Sequence, residues 1–396
     1  MITEVANISI NDKSQDDLVP DILEIEVEED VDKADVFRVR LALTLQLNGT
    51  WSYIDEDRFT LWNKLSIVIG YPSATEKIID GYITHVDVSL SNDEDEAYIE
   101  VSGMDGSCLM DVQEKQLAWA NKKDSEIAQQ IFSNYGLSYD VEDSVAQHKE
   151  SVSTIVQSET DIRFLKRLAA RNGFECFVYG TKGYFRSPKL QDPAQNVLAI
   201  AFGEDTNLAS LYVKVDGTPP THVEIKRIDP FEKQIDRQTL TGSPLRTLGA
   251  QSLGSIRDSK ADGYQLVRHQ ISSSTQEMTS RLRKAYEPAS QFVGLEGEID
   301  SRTYGMVLRA KKTVAVKGAG AKFSGLYYVT RVKHLLNLET YTQNFSAIRN
   351  GIGLTGQEDF SSKPALQAIS AASIGAGAGA ASSVVSAQTS AGAGGS

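Results

Sequence analysis

Apolar and polar side chains alternate in short runs through the first 110 residues of the chain. In the clearest run, Leu23, Ile25 and Val27 alternate with three glutamates. A period of two places one face of a strand on a core and the other face towards water or a partner. Turn-forming residues separate the runs, which lie at 23–28, 37–47, 65–69, 82–90 and 97–101. Several short strands at this spacing predict a small β-barrel or sandwich.

The period changes to that of a helix in the middle of the chain. Helices are predicted over 124–136 and 158–173, and a hairpin is predicted over 174–187. The later turns of the second helix carry a basic face, formed by Arg163, Lys166, Arg167 and Arg171. Since no aromatic platform accompanies these residues, a solvated face or a protein contact is favoured over an anion-binding site.

Strand alternation returns from about residue 208. Strands are predicted at 211–215, 223–228, 292–299, 305–316, 325–336 and 340–348. Between them, 241–263 has the composition of a loop, and 274–287 has the pattern of a helix that Pro288 ends. Two β regions on either side of a helical connector hint at an internal duplication, although no repeated motif supports one.

Composition places the chain among ordinary globular proteins and excludes several classes. Its 396 residues carry 40 Lys and Arg against 53 Asp and Glu, a formal charge of −13. Nucleic-acid binding is not expected, because it needs clustered basic residues. The N-terminus lacks a signal-peptide pattern and no run of about 18 apolar residues occurs, so cytoplasmic assembly without membrane insertion is expected. No charged residue follows Lys363, and the end of the chain is rich in Ala, Gly and Ser.

Residues with catalytic or metal-binding chemistry are scattered. Cys176 lies in an apolar run, which favours a buried and unreactive thiol, and Cys108 has no neighbouring histidine. The segment 318–322 lacks the spacing of a phosphate loop and is predicted to be a hairpin loop with no helix after it. The five histidines form no metal-binding or catalytic pattern: His85, His148, His222, His269 and His334. No catalytic residue, metal or cofactor is therefore expected.

The segment 154–174, TIVQSETDIRFLKRLAARNGF, resembles a known signature. It is similar to the Q-x-x-E-T/S-D-x-x-F-L-x-R-L-A-x-x-x-G pattern of the phage late control D family. Members of that family are central baseplate hub proteins of contractile tails and contractile injection systems, and they include the hub portion of VgrG-type spikes. The resemblance extends over roughly residues 20–350. Further segments agree with it in the same order: 123–128 with 135–137, 185–188, and 324–334 with 341–345.

The resemblance implies a mainly β fold with an α connector. Two similar β-barrel domains would be joined by a small α/β connecting region, and three copies would close into a ring with pseudo-six-fold symmetry. The implied domains are a first barrel over 1–115, a connector over 116–205, a second barrel over 206–350, and an Ala/Gly/Ser-rich tail over 351–396. The second barrel would contain a helical and loop insertion near 241–290.

A ring of this kind implies a structural function. It would adapt the six-fold inner tube to the three-fold spike and provide the conduit through which DNA or cargo passes. The expected partners are two further copies of the chain, a tube or tube-initiator protein above, a spike protein below, and other baseplate components. VgrG-type relatives continue into a fused spike, whereas the uncharged tail follows here, so the spike is expected to be a separate polypeptide. No enzymatic activity is expected.

Two other functions remain as alternatives at this stage: a tail-tip peptidoglycan hydrolase, and a carbohydrate- or receptor-binding module. The type of particle, whether phage, pyocin-like or an extracellular or membrane-docked injection system, stays open. Alternation locates strand faces but not the partner that covers them. The candidate protein-interface residues are Arg163, Lys166, Arg167, Arg171, Tyr328, Arg331 and His334.

Overall fold

A computed structural model of the chain describes residues 5–71, 74–93, 96–148, 150–151, 154–228, 233–257, 263–267 and 275–361. The first β region contains seven strands within these ranges. They are β1 (Val5–Ile10), β2 (Lys13–Ser14), β3 (Ile22–Asp30), β4 (Val36–Ala42), β5 (Lys64–Tyr71), β6 (Ala74–Ser89) and β7 (Tyr98–Asp105). Short 3₁₀ helices connect some of the strands of the described chain, at Asp16–Asp21, Asp57–Phe59, Gly106–Met110 and Gly203–Asp205.

The connector combines two helices with short strands. Its elements are β8 (Glu114–Trp119), β9 (Lys122–Lys123), α1 (Asp124–Asn134), β10 (Ser138–Val141), β11 (Gln147–His148), β12 (Ile155–Thr160), α2 (Asp161–Asn172), β13 (Glu175–Tyr179) and β14 (Lys182–Arg186). Both predicted helices and the predicted hairpin are present. Helix α2 ends at Gly173, whose φ of 70° is the left-handed conformation that glycine adopts without strain. The two helices and the hairpin share one hydrophobic core with Trp119 and Ile155.

The second β region is interrupted by a smaller α/β insertion. Its elements are β15 (Gln195–Ala199), β16 (Leu208–Val215), β17 (His222–Ile228), β18 (Ile235–Leu240), α3 (Leu253–Arg257), β19 (Tyr264–Val267), α4 (Thr275–Ser290), β20 (Val293–Asp300), α5 (Ser301–Tyr304), β21 (Thr313–Lys317), α6 (Gly320–Phe323), β22 (Gly325–Asn337) and β23 (Tyr341–Arg349). In the insertion, β18, β17 and β19 form a separate three-stranded sheet, against which α4 packs Met278, Leu282 and Tyr286.

The two β regions form one continuous sheet of 13 described strands. Its order is β16-β20-β23-β22-β3-β4-β7-β6-β5-β1-β2, and β21, which pairs with β15, adds to β22. The two regions join where β22 pairs antiparallel with β3, from Arg331 opposite Asp30 to Asn337 opposite Glu24. We call this pairing the seam. The mainly β fold is confirmed, but the pairing of the described strands does not close into a barrel.

Several local predictions differ from the structure. The helix predicted over 158–173 begins at Asp161, because residues 158–160 pair with β8 as part of β12. The strand predicted over 305–316 is restricted to β21, because residues before it give their backbone donors to side chains: Leu308 donates to Gln343, and Ala310 to Glu29. Helix α4 runs on past Pro288 to Ser290, since its apolar face is held on β17. The predicted loops contain the short helices α3 and α6. The tail beyond residue 361 lies outside the described residues.

Candidate assembly surface

The basic face of the second helix lies on α2, as predicted, and two of its residues are exposed. The side chain of Arg163 is 64% exposed, with its Nε 3.0 Å from Oδ1 of Asp111. The side chain of Arg167 is 46% exposed and donates from Nε to Oε1 of Glu159 at 2.6 Å. Because each cation already has an acidic neighbour, this face presents ion pairs and not free positive charge.

The other two basic residues of α2 connect parts of the chain. Lys166 donates from Nζ to the backbone carbonyl of Asp32 at 2.7 Å, which joins the connector to the end of β3. Arg171 donates from Nε to Oδ2 of the buried Asp124 at 3.1 Å. Burial alone would raise the pKa of Asp124, but hydrogen bonds from His148 and the Arg171 charge hold that pKa below its ordinary value. These contacts give Lys166 and Arg171 internal, structural roles.

Two of the residues predicted to form an interface are buried within the chain. Tyr328 is 4% exposed, and its hydroxyl donates to Oε1 of Glu175 at 2.5 Å. His334 is 0% exposed, and its Nδ1 lies 2.9 Å from the hydroxyl of Tyr341. His334 points to the inner face of the sheet, whereas Tyr328 packs with Leu190, Val197 and Leu248 in a separate hydrophobic cluster. Neither side chain therefore offers a surface to a partner of the folded chain. This corrects the prediction for these two positions.

Arg331 belongs to a set of charged residues on the outer face of the sheet, across the seam. We call this set the charge ladder. Strands β7, β4, β3 and β22 lie side by side, and the charged positions of the ladder face outward because they alternate with residues that face the core. The members of the ladder are Glu24, Glu26, Glu28, Arg38, Arg40, Glu100, Arg331 and Lys333.

The ladder is paired from strand to strand. Arg331 on β22 contacts Oε2 of Glu28 on β3 at 2.6 Å, and Lys333 contacts Oε1 of Glu26 at 3.0 Å. On the other side of β3, Arg38 also contacts Glu26, at 2.5 Å. Partly exposed ion pairs of this kind contribute roughly 0–1 kcal/mol each. With four acidic and four basic members the surface is balanced in charge, which suits a contact defined by geometry.

Shallow grooves flank the charge ladder on both sides. One groove, of about 350 Å³, runs beside Arg38 and is lined by Thr84, His85 and Ser102. The other, of about 570 Å³, runs beside Arg331 and Lys333 and includes Tyr212, which is 62% exposed. Together the ladder and the grooves form a polar surface with an exposed aromatic residue, a composition typical of non-obligate protein interfaces.

On the inner side of the seam, buried ion pairs connect the two β regions. Arg309 is 8% exposed and donates from Nε to Oε1 of Glu29 at 2.8 Å. Its Nη1 also donates to Oε2 of Glu76 at 3.1 Å and to the carbonyl of Lys77 at 3.0 Å. Lys311 donates from Nζ to Oδ1 of the buried Asp35 at 2.7 Å.

The pKa of Glu29 at the seam reflects this pairing. Burial alone would raise the pKa of Glu29, but the Arg309 guanidinium and the neighbouring His334, whose Nε2 lies 3.8 Å from Oε2 of Glu29, hold that pKa well below its usual range. Sequence reasoning missed these ion pairs. The signal that could have found them is Arg309 and Lys311 within a segment otherwise predicted to be a buried strand.

The remaining candidate residues show no site chemistry. Both cysteines are buried, and burial raises the pKa of Cys108 to about 11 and that of Cys176 to about 12. Within the described ranges no group of three or more His, Cys, Asp or Glu side chains is arranged to hold a metal ion. His269 lies outside the described residues. Nor does any described helix combine the length and the apolar character needed to cross a bilayer.

Comparisons with known proteins show that this fold is similar to that of phage tail proteins. The family described as Alg8 N-terminal domain matches residues 4–337, and that description names neither an activity nor a baseplate hub. No curated protein matches the sequence. The structure is similar to the 43 kDa tail protein of prophage MuSo2 from Shewanella oneidensis, with a TM-score of 0.64 and 13% identity over 88% of this chain and 99% of that one.

Two further solved structures are similar over most of the chain. A tail protein from Neisseria meningitidis MC58 has a TM-score of 0.62 and 12% identity, over 88% of this chain and 98% of that one. An E. coli component of the type VI secretion system has a TM-score of 0.51 and 14% identity, over 83% and 73%. It is itself described as structurally similar to two T4 bacteriophage tail proteins. At these identities the likeness establishes the fold, which is that of phage tail proteins.

Proposed function

We propose that this chain, which belongs to the Alg8 N-terminal domain family, is a structural baseplate hub of a phage tail or contractile injection system. The observation that carries the proposal is the fold, which is shared over 99% and 98% of the length of two tail proteins. The late control D signature that 154–174 resembles supports the same role. That signature spans β12 and α2, the elements that hold the connector together.

The proposed hub is a homotrimer that forms a ring. Each chain would contribute two β regions, so that three chains present six of them to the six-fold inner tube while keeping a true three-fold axis for the spike. This role requires that the two β regions keep a fixed relation to each other. The seven-residue pairing at the seam and the buried Arg309–Glu29 and Lys311–Asp35 pairs support such rigidity.

The proposed partners follow from the position of a hub. They are a spike protein below, a tube or tube-initiator protein above, and other baseplate components. We assign these contacts to the outer face that carries the charge ladder and to the exposed Arg163 and Arg167 of α2. An ion pair within one chain can exchange its partner for a charge on a neighbouring subunit, which gives specificity without a large apolar patch.

The proposed role needs no chemistry from the chain itself. We propose that it has no enzymatic activity and no cofactor, binds no nucleic acid and inserts into no membrane. It would assemble in the cytoplasm and then form part of the particle, through whose lumen DNA or cargo passes. The net charge of −13 favours passage of nucleic acid without adsorption.

Native mass spectrometry of the full chain tests the proposal. The expected result is a species of three times the 43.3 kDa chain mass, alone or after co-expression with the tube and spike proteins of the same particle. A chain that stays monomeric in all of these mixtures would overturn the hub. Peptidoglycan-hydrolysis and glycan-array measurements on the same preparation test the two alternative functions, and we expect both to be negative.

A further inference from the structure

The chain contains three Asn-Gly pairs, and the structure gives them different surroundings. They are Asn48-Gly49, Asn172-Gly173 and Asn350-Gly351. Such a pair is reactive, because glycine has no side chain to shield its backbone nitrogen, which can attack the carboxamide of the preceding asparagine. In a folded chain the attack depends on access of water and on the groups that hold the carboxamide. The three pairs can therefore be compared within one molecule.

The first pair, Asn48-Gly49, lies at the exposed tip of a hairpin turn. Leu45 and Trp51 form the bridge that closes this turn. The backbone N–H of Gly49 donates to the carbonyl of Gln46 at 2.8 Å, and the φ of Gly49 is 82°, which is the pattern of a three-residue hairpin loop. Apart from the chain neighbours of Gly49, no atom of the described chain lies within 4 Å of the position that a Cβ would take there. The turn is therefore open to water.

Two donors of Thr50 hold the carboxamide of Asn48. Its Oδ1 accepts from the backbone N–H of Thr50 at 3.0 Å and from the Thr50 hydroxyl at 2.7 Å, and Asn48 is the nearer of the two acceptors of that hydroxyl. A hydrogen bond from an asparagine side chain to the residue two positions later curls the carboxamide back over the peptide between them, which here is that of Gly49. Within the described chain the side-chain hydrogen bonds of Asn48 all involve Oδ1, so its Nδ2 is free to leave.

The other two pairs are buried and held by their nitrogens. Asn172 and Asn350 are each 5% exposed. Nδ2 of Asn172 donates to Oδ2 of Asp124 at 2.7 Å and to the carbonyl of Leu168 at 2.9 Å. Nδ2 of Asn350 donates to the carbonyl of Arg246 at 3.1 Å. Burial keeps water away from both pairs, and these hydrogen bonds retain the nitrogen that would have to leave.

We infer that Asn48 is a site of spontaneous covalent modification, at which the carboxamide is converted to a carboxylate through a cyclic imide. The Gly49 nitrogen forms a bond to Cγ of Asn48, and the two Thr50 donors stabilise the negative charge that develops on Oδ1, as in an oxyanion hole. The Cγ–Nδ2 bond then breaks, and Nδ2 leaves as ammonia with the proton from Gly49, which is transferred through water. Water next opens the imide at either carbonyl and gives an aspartyl or an isoaspartyl residue.

The product differs from the parent turn in charge and in length. Each conversion adds one negative charge at the exposed tip, and the isoaspartyl form also lengthens the main chain by one methylene group. The inference is independent of the proposed hub, because it depends on the 45–51 turn and on water, which is the one co-reactant.

Peptide mass spectrometry of the full chain after incubation tests the inference. The native chain is kept at pH 8 or pH 6, the amide-to-acid mass change is followed at each pair, and isoaspartyl methyltransferase labelling detects the isoaspartyl form. A zero-time sample corrects for conversion during digestion. We expect Asn48 to convert at least tenfold faster than Asn172 and Asn350, and faster at pH 8 than at pH 6, because the attacking nitrogen must lose its proton. In urea the three pairs should convert at similar rates, since the burial of two of them is lost.

Substitutions in the turn test the two roles assigned to its residues. Thr50→Val removes the hydroxyl donor and should slow conversion at least threefold, whereas Thr50→Ser keeps that donor and should convert like the parent chain. Gly49→Ala places a methyl group beside the attacking nitrogen and should slow conversion at least tenfold. Thermal unfolding of each variant verifies that it is folded. The inference is overturned if Asn48 converts in urea but not in the native chain, if the two buried pairs convert as fast as Asn48 in the native chain, or if Thr50→Val converts like the parent chain.

Discussion

Removal of the Arg309 guanidinium is the sharpest test of the seam. Arg309→Met keeps most of the volume of the side chain and leaves Glu29, which is 3% exposed, without its cation. The variant also loses the hydrogen bonds from Arg309 to Glu76 and to the carbonyl of Lys77. The seam would then contain an unpaired buried carboxylate between the two β regions.

The expected cost follows from burial. Breaking a buried ion pair by removing one partner costs about 3–5 kcal/mol, because the remaining charge stays desolvated. The matched control is Arg331→Met, which removes an arginine from the same seam on its exposed face. The side chain of Arg331 is 46% exposed, so this change should cost no more than about 1 kcal/mol. Restoring neutrality with Glu29→Gln should recover part of the loss of Arg309→Met.

Urea unfolding monitored by tryptophan fluorescence measures these differences in the free energy of unfolding. The pH dependence of that free energy gives a second test. In the parent chain the pKa of Glu29 is below that of the unfolded chain. Its contribution to the free energy of unfolding is therefore complete above about pH 4.3 and falls as the pH is lowered from there.

In Arg309→Met, burial should instead raise the pKa of Glu29. The destabilisation should then be largest at neutral or higher pH and shrink as the pH falls towards about 5 and the carboxyl becomes protonated. Equal free energies of unfolding for Arg309→Met and Arg331→Met, or a difference from the parent that does not change with pH, would refute the argument that the seam depends on this buried pair.

Three further predictions concern other parts of the chain. Gly103→Ala should destabilise the fold by about 2 kcal/mol, because the added Cβ would lie 2.0 Å from a backbone carbonyl oxygen of β6. The control in the same denaturation assay is Gly217→Ala, whose added Cβ would have no atom within 4 Å. In the parent chain the free energy of unfolding should fall as the pH rises from about 4.3 to about 7, since burial raises the pKa of the Glu175 carboxyl to about 7 in the folded state. Glu175→Gln should reduce this fall, and an unchanged pH profile would contradict the prediction. Cys108 and Cys176 should resist iodoacetamide in the native chain at pH 8 and react fully in urea, as measured by intact mass, and rapid native labelling would show that the thiols are accessible.

Local pattern predicted many of the elements of the fold but missed others, such as β18 and α3. The alternation of Leu23, Ile25 and Val27 with glutamates corresponds to β3, and the signature segment corresponds to β12 and α2. The joining of the two β regions into one sheet could not be predicted, because it depends on β3 and β22 pairing across about 300 residues. Alternation shows which face of each strand is apolar, but it contains no information about which strand is the neighbour.

The prediction that His334 of β22 forms an interface was wrong, and the spacing of residues in the sequence already shows why. Arg331 and His334 are three positions apart, so a period of two places them on opposite faces of one strand. Since Val332 is buried, parity assigns His334 to the core and Arg331 to the surface. Arg309 and Lys311 were harder to predict, because their burial depends on acidic partners from the first β region, Glu29 and Asp35.

The seam also sets an order of events during synthesis. Strand β3 emerges from the ribosome early, but the strand that completes it, β22, follows about 300 residues later. At about 5–20 residues per second, the edge of β3 waits roughly 15–60 s for its neighbour. Throughout that interval the nascent chain presents an unpaired strand edge with the apolar residues Ile25 and Val27 on one face. Because β4 pairs with the opposite edge of β3, the early strands leave this edge open, and a chaperone that covers it should raise the share of newly made chain that reaches the folded state.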